Sequence, residues 1–104
     1  MPEPNRRLEL HELLCGILGT RNVYFQPPES VRMSYPAIVY ELSDVPSLYA
    51  NGGVYLTGRR YAVTAIDKDP DSPLVEKLAS LPTSRFDRPF KASNLNHWVF
   101  TLYY

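Results

Sequence analysis

A single cysteine, Cys15, in 104 residues rules out an intrachain disulfide, and any cysteine-based metal site would need ligands from elsewhere. So little cysteine use fits a reducing compartment. Net charge is missing too. Eleven Lys plus Arg balance eleven Asp plus Glu, so no global charge supplies the counterion release that drives nucleic-acid binding, and copies of the chain repel one another weakly. No apolar run approaches the roughly 20 residues of a membrane helix. The stretch Met1 to Arg7 is too polar for a signal peptide, so a cytosolic protein without a membrane partner is expected.

Catalytic residue types are scarce as well. His11 and His97 are the only histidines, and neither has a Cys, a His or a carboxylate at a recognisable catalytic or metal spacing. Glu9 and Glu12 flank His11 on a helical pattern, where side-chain pairing is common, so a surface or capping role is expected for it. There is no Gly-rich phosphate loop, paired-acid signature, nucleophile motif or internal repeat. Neither an enzymatic activity nor a cofactor is expected.

Ten prolines and eight tyrosines are what the chain has in excess, as strands separated by punctuated loops would require. Its length suits one domain, residues 1–104, with residues 1–5 as a short arm. Asn5 is a candidate N-cap for a helix whose Leu10, Leu13, Leu14, Ile17 and Leu18 follow the i, i+3, i+4, i+7, i+8 rule, and Gly19 can close it. Gly16 inside that helix suggests a close approach to a neighbour, and Cys15 beside Leu14 reads as a small buried hydrophobe.

Val23-Tyr24-Phe25-Gln26 reads as a strand at a sheet margin, ended by Pro27-Pro28. Ala37 to Leu42, apolar on both alternating sets except at Glu41, reads as a central strand covered on both faces. Residues 43–53 form a long loop or extended hairpin, and Gly58 in the strand that begins at Val54 suggests a bulge.

The clearest stretch is Arg59 to Leu81. Tyr61, Val63, Thr64 and Ile66 mark a strand, Asp67-Lys68-Asp69-Pro70-Asp71 a polar turn, and Ser72-Pro73 the N-cap and first position of a second helix. That helix turns Leu74, Val75, Leu78 and Ala79 to one side. Ser84 to Arg88 reads as an edge strand interrupted by Pro89, and Trp98 to Tyr104 as a final strand with Trp98, Phe100, Leu102 and Tyr104 on one face. The expected fold is α+β with two layers: two helices on one face of a mainly antiparallel sheet of about five strands, in the order α-β-β-β-α-β-β.

Two clusters invite a chemical reading. Asp67, Asp69 and Asp71 alternate like the first half of a calcium loop, but Ser72 stands where that loop needs Gly and Leu78 where it needs Glu, so a solvated turn ahead of the helix is the better account. Arg59 and Arg60 beside Tyr61, with Arg85 and Arg88, would make a modest basic patch with aromatic neighbours, as single-strand binders use, although strand arginines on a neutral domain are more commonly salt-bridged or solvated. Tyr and Arg are also enriched at protein interfaces.

Several phrases fit one pattern together: Leu10-His11-Glu12-Leu13-Leu14, Asn22-Val23-Tyr24-Phe25-Gln26-Pro27-Pro28, Tyr35-Pro36-Ala37-Ile38-Val39-Tyr40, Tyr61 to Asp67 followed by Asp69-Pro70-Asp71-Ser72, and Asn94-Leu95-Asn96-His97-Trp98-Val99-Phe100. Over nearly the whole chain these resemble the small tail-completion, or tail-terminator, proteins of long-tailed bacteriophages. The resemblance implies an α+β protomer that assembles as a six-fold ring at the head-proximal end of the tail tube. Such a ring stops tube polymerisation and meets the head, with self, the tail tube protein and a head-completion (stopper) protein as partners and no cofactor. It implies a location in the host cytoplasm during assembly and then in the neck of the virion. By position, Tyr24, Phe25, Gln26, Tyr49 and Asn51 are expected at subunit or tube contacts, and Arg59 and Arg60 on a lumen through which DNA passes. Another neck component, either a mostly helical adaptor or a small β-barrel stopper, is the near alternative. A small nucleic-acid-binding domain is the distant one.

Overall fold

The computed structural model describes residues 6–44 and 59–104. In chain order the elements are α1 (Arg6–Leu18), β1 (Val23–Phe25), β2 (Ala37–Asp44), β3 (Arg60–Asp67), α2 (Leu74–Ala79), β4 (Ser84–Ala92) and β5 (Leu95–Tyr103). The five strands form one mixed sheet in the spatial order β1-β2-β3-β5-β4. β1 runs parallel to β2, and the remaining three pairings are antiparallel. Asn5, Tyr49, Asn51, the proposed strand start at Val54 and the Gly58 bulge lie outside the described residues.

Strand alternation builds the core. On one face, Ile38 and Tyr40 of β2, Tyr61, Val63 and Ala65 of β3, and Phe100 and Leu102 of β5 are at most 2 % exposed. Leu10, Leu14 and Cys15 from α1 and Leu74 and Leu78 from α2 join the same cluster. Both helices therefore cover one face, and removal of this apolar surface from water is the main stabilising term.

The helix ends follow local chemistry. Gly19 takes φ +87°, and its N–H donates to the Cys15 carbonyl at 2.8 Å, closing α1 in the left-handed region where side chains are disfavoured. Pro73 already has helical dihedrals, and Ser72 Oγ accepts from the Leu74 N–H at 3.3 Å, so Ser72 caps α2 as its sequence suggests.

β2, paired with β1 and β3, is an interior strand as its sequence suggests, and β3 stands in the middle of the sheet. Four other expectations need correction. β2 is covered on both faces only where Ala37 pairs with Ile66; farther along, Val39 is half-buried and Glu41 exposed. Pro89 does not end β4, which continues to Ala92, because alternate N–H groups of an edge strand point away from the sheet and a proline there costs no ladder bond. β5 correspondingly starts at Leu95, leaving a two-residue hairpin turn at Ser93 and Asn94, both with positive φ as type I′ geometry requires.

The last correction is at Gly16, which is exposed and meets nothing within 4 Å of where a Cβ would stand, so no close approach depends on it. Gly16→Ala is therefore expected to stabilise the fold by about 0.5–1 kcal/mol, because helix propensity rises and nothing clashes. A higher urea midpoint with unchanged slope would show this, and a lower midpoint would contradict it.

Candidate functional site

The sheet has a second face that the helices leave open. Val39, Ala62, Thr64, Val99 and Thr101 lie on it in contiguous register, Val39 opposite Thr64, Thr64 opposite Val99, and Ala62 opposite Thr101. All five are half-buried. A sheet with one solvated face normally places polar residues there; the centre of this one carries small or β-branched side chains, with charged Glu41, Arg60, Arg85 and Arg88 around them. Along the outer strand β4, Phe86 and Phe90 are 44 % and 42 % exposed. Phe90 stacks on His97 with ring centroids 4.4 Å apart, and Phe86 meets Phe100 edge-on at 5.3 Å. β4 also carries a register shift between Phe86 and Arg88, a bulge of the kind that keeps free strand edges from pairing indiscriminately.

The residues expected at subunit contacts divide at β1. Tyr24, half-buried on the open face beside Val39, accepts the Ser34 N–H on its hydroxyl at 3.3 Å. Phe25 turns to the helix side, 4.9 Å from the Tyr40 ring, with the Arg7 guanidinium over it at 4.4 Å. Gln26 has φ 44° and extends the β1–β2 pairing: its N–H donates to the Tyr40 carbonyl at 2.9 Å, and its Oε1 accepts the Leu42 N–H at 3.1 Å. Of the expected lumen residues, Arg59 exchanges backbone hydrogen bonds with Tyr104, while Arg60 lies on the open face and donates to Asp44 Oδ2 at 3.1 Å. Arg88 pairs with its neighbour Asp87 at 3.4 Å, while Arg60 and Arg85 flank β5 on the open face, opposite Tyr103 and Thr101. Asp67 and Asp69 each accept the N–H two residues on, at 3.2 and 2.9 Å, and so fold the acidic turn themselves.

The largest departure from expectation concerns His11. It is not a free surface side chain: its Nδ1 lies 2.8 Å from the hydroxyl of buried Tyr40, which also accepts from Arg7 at 3.4 Å. Partners 29 and 33 residues away leave no signal in sequence spacing, although a buried tyrosine needs a partner for its hydroxyl. Burial, then the positive charges of Arg21 and Arg7, lower the His11 pKa below its usual 6.5, and Glu12 opposes them weakly. Burial likewise raises that of Tyr40. Arg21 and Glu12 form an exposed bidentate pair, both contacts at 2.8 Å.

A depressed histidine pKa means that the unfolded chain takes up the proton first as pH falls. The His11 contribution should thus be complete above pH 6.5 and decline as pH falls through 6.5 toward the lower folded value. Thermal melts between pH 8 and 5 should show that decline, and His11→Gln should flatten it. Identical profiles for the two proteins would refute the assignment.

Among the described residues no group of three or more His, Cys, Asp or Glu is placed to hold a metal ion, and no helix is long and apolar enough to cross a membrane. No family model, curated protein or solved structure matches this chain.

Proposed function

We propose that this chain is a structural protein that assembles with copies of itself into a closed ring, caps the head-proximal end of a bacteriophage tail tube and joins tail to head. The observation that carries this reading is the open sheet face. Among the described residues, a five-stranded sheet with helices on one side only presents, on the other, a connected surface of Val, Ala and Thr side chains beside the exposed Phe90. A ring requires a heterologous contact that closes by rotation, and an uncovered sheet face with a free edge strand can supply one half of it. The sequence phrases that carry the resemblance fall on α1, β1, β2, β3 and β5, so they coincide with the framework of the fold. Two helices on a mixed sheet also suit a terminator better than a mostly helical adaptor or a small β-barrel stopper.

Sedimentation together with electron microscopy of the purified protein, alone and with tail tubes, tests the reading. A closed ring at one end of the tube is expected. A protein that remains monomeric at high concentration and never decorates tube ends would overturn it.

A further inference from the structure

At one end of the open face, where β3, β5 and β4 run side by side, a cleft of about 430 Å³ is lined by Arg60, Thr83, Arg85, Thr101 and Tyr103 among others. Its volume falls within the roughly 300–1,000 Å³ usual for small-ligand sites. The register explains why these residues meet. Arg60 pairs with Tyr103 and Arg85 with Thr101, so the two arginines flank β5 on the same face, one strand away on either side and two residues apart along it. Ordinary strand spacings put their Cα atoms roughly 12 Å apart, close enough for both side chains to bend toward one group between them.

The donor inventory is one-sided. Among the described residues the side chains of Arg85, Thr101 and Tyr103 have no hydrogen-bond partner, so the Arg85 fork and both hydroxyls are available to donate. Arg60 spends one nitrogen on Asp44 and keeps its other N–H groups. The Thr83 hydroxyl donates to the Tyr103 carbonyl, which fixes that wall of the cleft. Of the described acids near this face, Asp44 is engaged by Arg60, Asp87 in the β4 bulge by Arg88, and Glu41 sits three strands from Arg85 in the row Glu41, Ala62, Thr101, Arg85.

The geometry points to an oxyanion site of the phosphate class in this cleft, with Arg85 as the principal, bidentate ligand, Thr101 and Tyr103 donating from β5, and Arg60 closing the far side. A guanidinium fork matches two oxygens of a tetrahedral anion, which a lysine at the same place would not. The site is complete within one copy of the chain and does not depend on ring formation. Free phosphate and the phosphodiester backbone of a nucleic acid share this chemistry.

Binding of inorganic phosphate at constant ionic strength, followed by amide shifts in β4 and β5, and binding of a short oligonucleotide, followed by fluorescence anisotropy, test the assignment and separate the two sources. Phosphate binding alone would assign the site to the free anion. Oligonucleotide binding would assign it to the backbone. In either case Arg85→Ala should weaken binding roughly tenfold or more, as loss of a charged hydrogen-bond donor does. Asp44→Asn, which frees Arg60, should strengthen binding, and Lys91→Ala on the same strand should leave it unchanged. Circular dichroism would confirm that each variant is folded. Absence of binding to either probe, or binding that Arg85→Ala and Lys91→Ala reduce equally, would overturn the proposal.

Discussion

Phe100→Ala is expected to destabilise the protein by about 3–5 kcal/mol, a large share of the roughly 5–15 kcal/mol that keeps a domain of this size folded. Phe100 is 1 % exposed and pairs with Val63 on the central strand and with Phe86 on the outer one, so its ring holds β5 to both neighbours beneath the helices. Truncation to alanine forfeits the transfer free energy of the ring and leaves a cavity that a β-sheet, fixed by its ladder, cannot collapse to fill. Phe86→Ala is the matched control. It removes the other half of the edge-on aromatic pair, but from a site 44 % exposed, and should cost about 1 kcal/mol or less. Urea unfolding of both variants measures the contrast. Equal losses would mean that the core does not centre on β5.

Thr64→Lys should abolish ring formation while leaving the protomer folded. Thr64 is the middle residue of the open face, on the central strand between Val39 and Val99, and its side chain points away from the core that Val63 and Ala65 help to build. A lysine there can extend into water in the isolated protomer, so the change in stability should be within about 1 kcal/mol, the span of strand propensities. In a ring that covers this face the ammonium would be buried without a partner, a cost large enough to prevent association. Sedimentation of the variant beside the parent protein is the measurement. Loss of the folded protomer would be seen separately by circular dichroism. A folded variant that still assembles would exclude the open face as the subunit contact.

The contrast between these two positions shows where sequence reading works. Phe100 and Thr64 lie in strands whose alternation is visible in the chain, and the core side of β5 follows from Trp98, Phe100 and Leu102 recurring at every second place. The stop at Gly19 and the cap at Ser72 are equally local, since each depends on the dihedral preference or hydrogen bonding of one or two residues. Ala37 to Leu42 misleads for a physical reason. An apolar run is compatible with burial on two faces, but it does not say whether a second layer exists, and here none of the described elements covers Val39. His11 misleads because a histidine between two glutamates on a helix gives no hint of a tyrosine hydroxyl arriving from β2.

Local preference, written residue by residue, therefore determined the kinds of element, their approximate limits and which side of each is apolar, because alternation, capping and turn chemistry act over a few neighbouring residues. The parallel pairing of β1 with β2, the central place of β3, the second face left uncovered by the described elements and the convergence of Arg60 with Arg85 were decided only by the tertiary structure. Each is a relation between segments distant in the chain. Strand direction and neighbour choice are set by how all the elements pack around one core at once, and no single stretch encodes that arrangement.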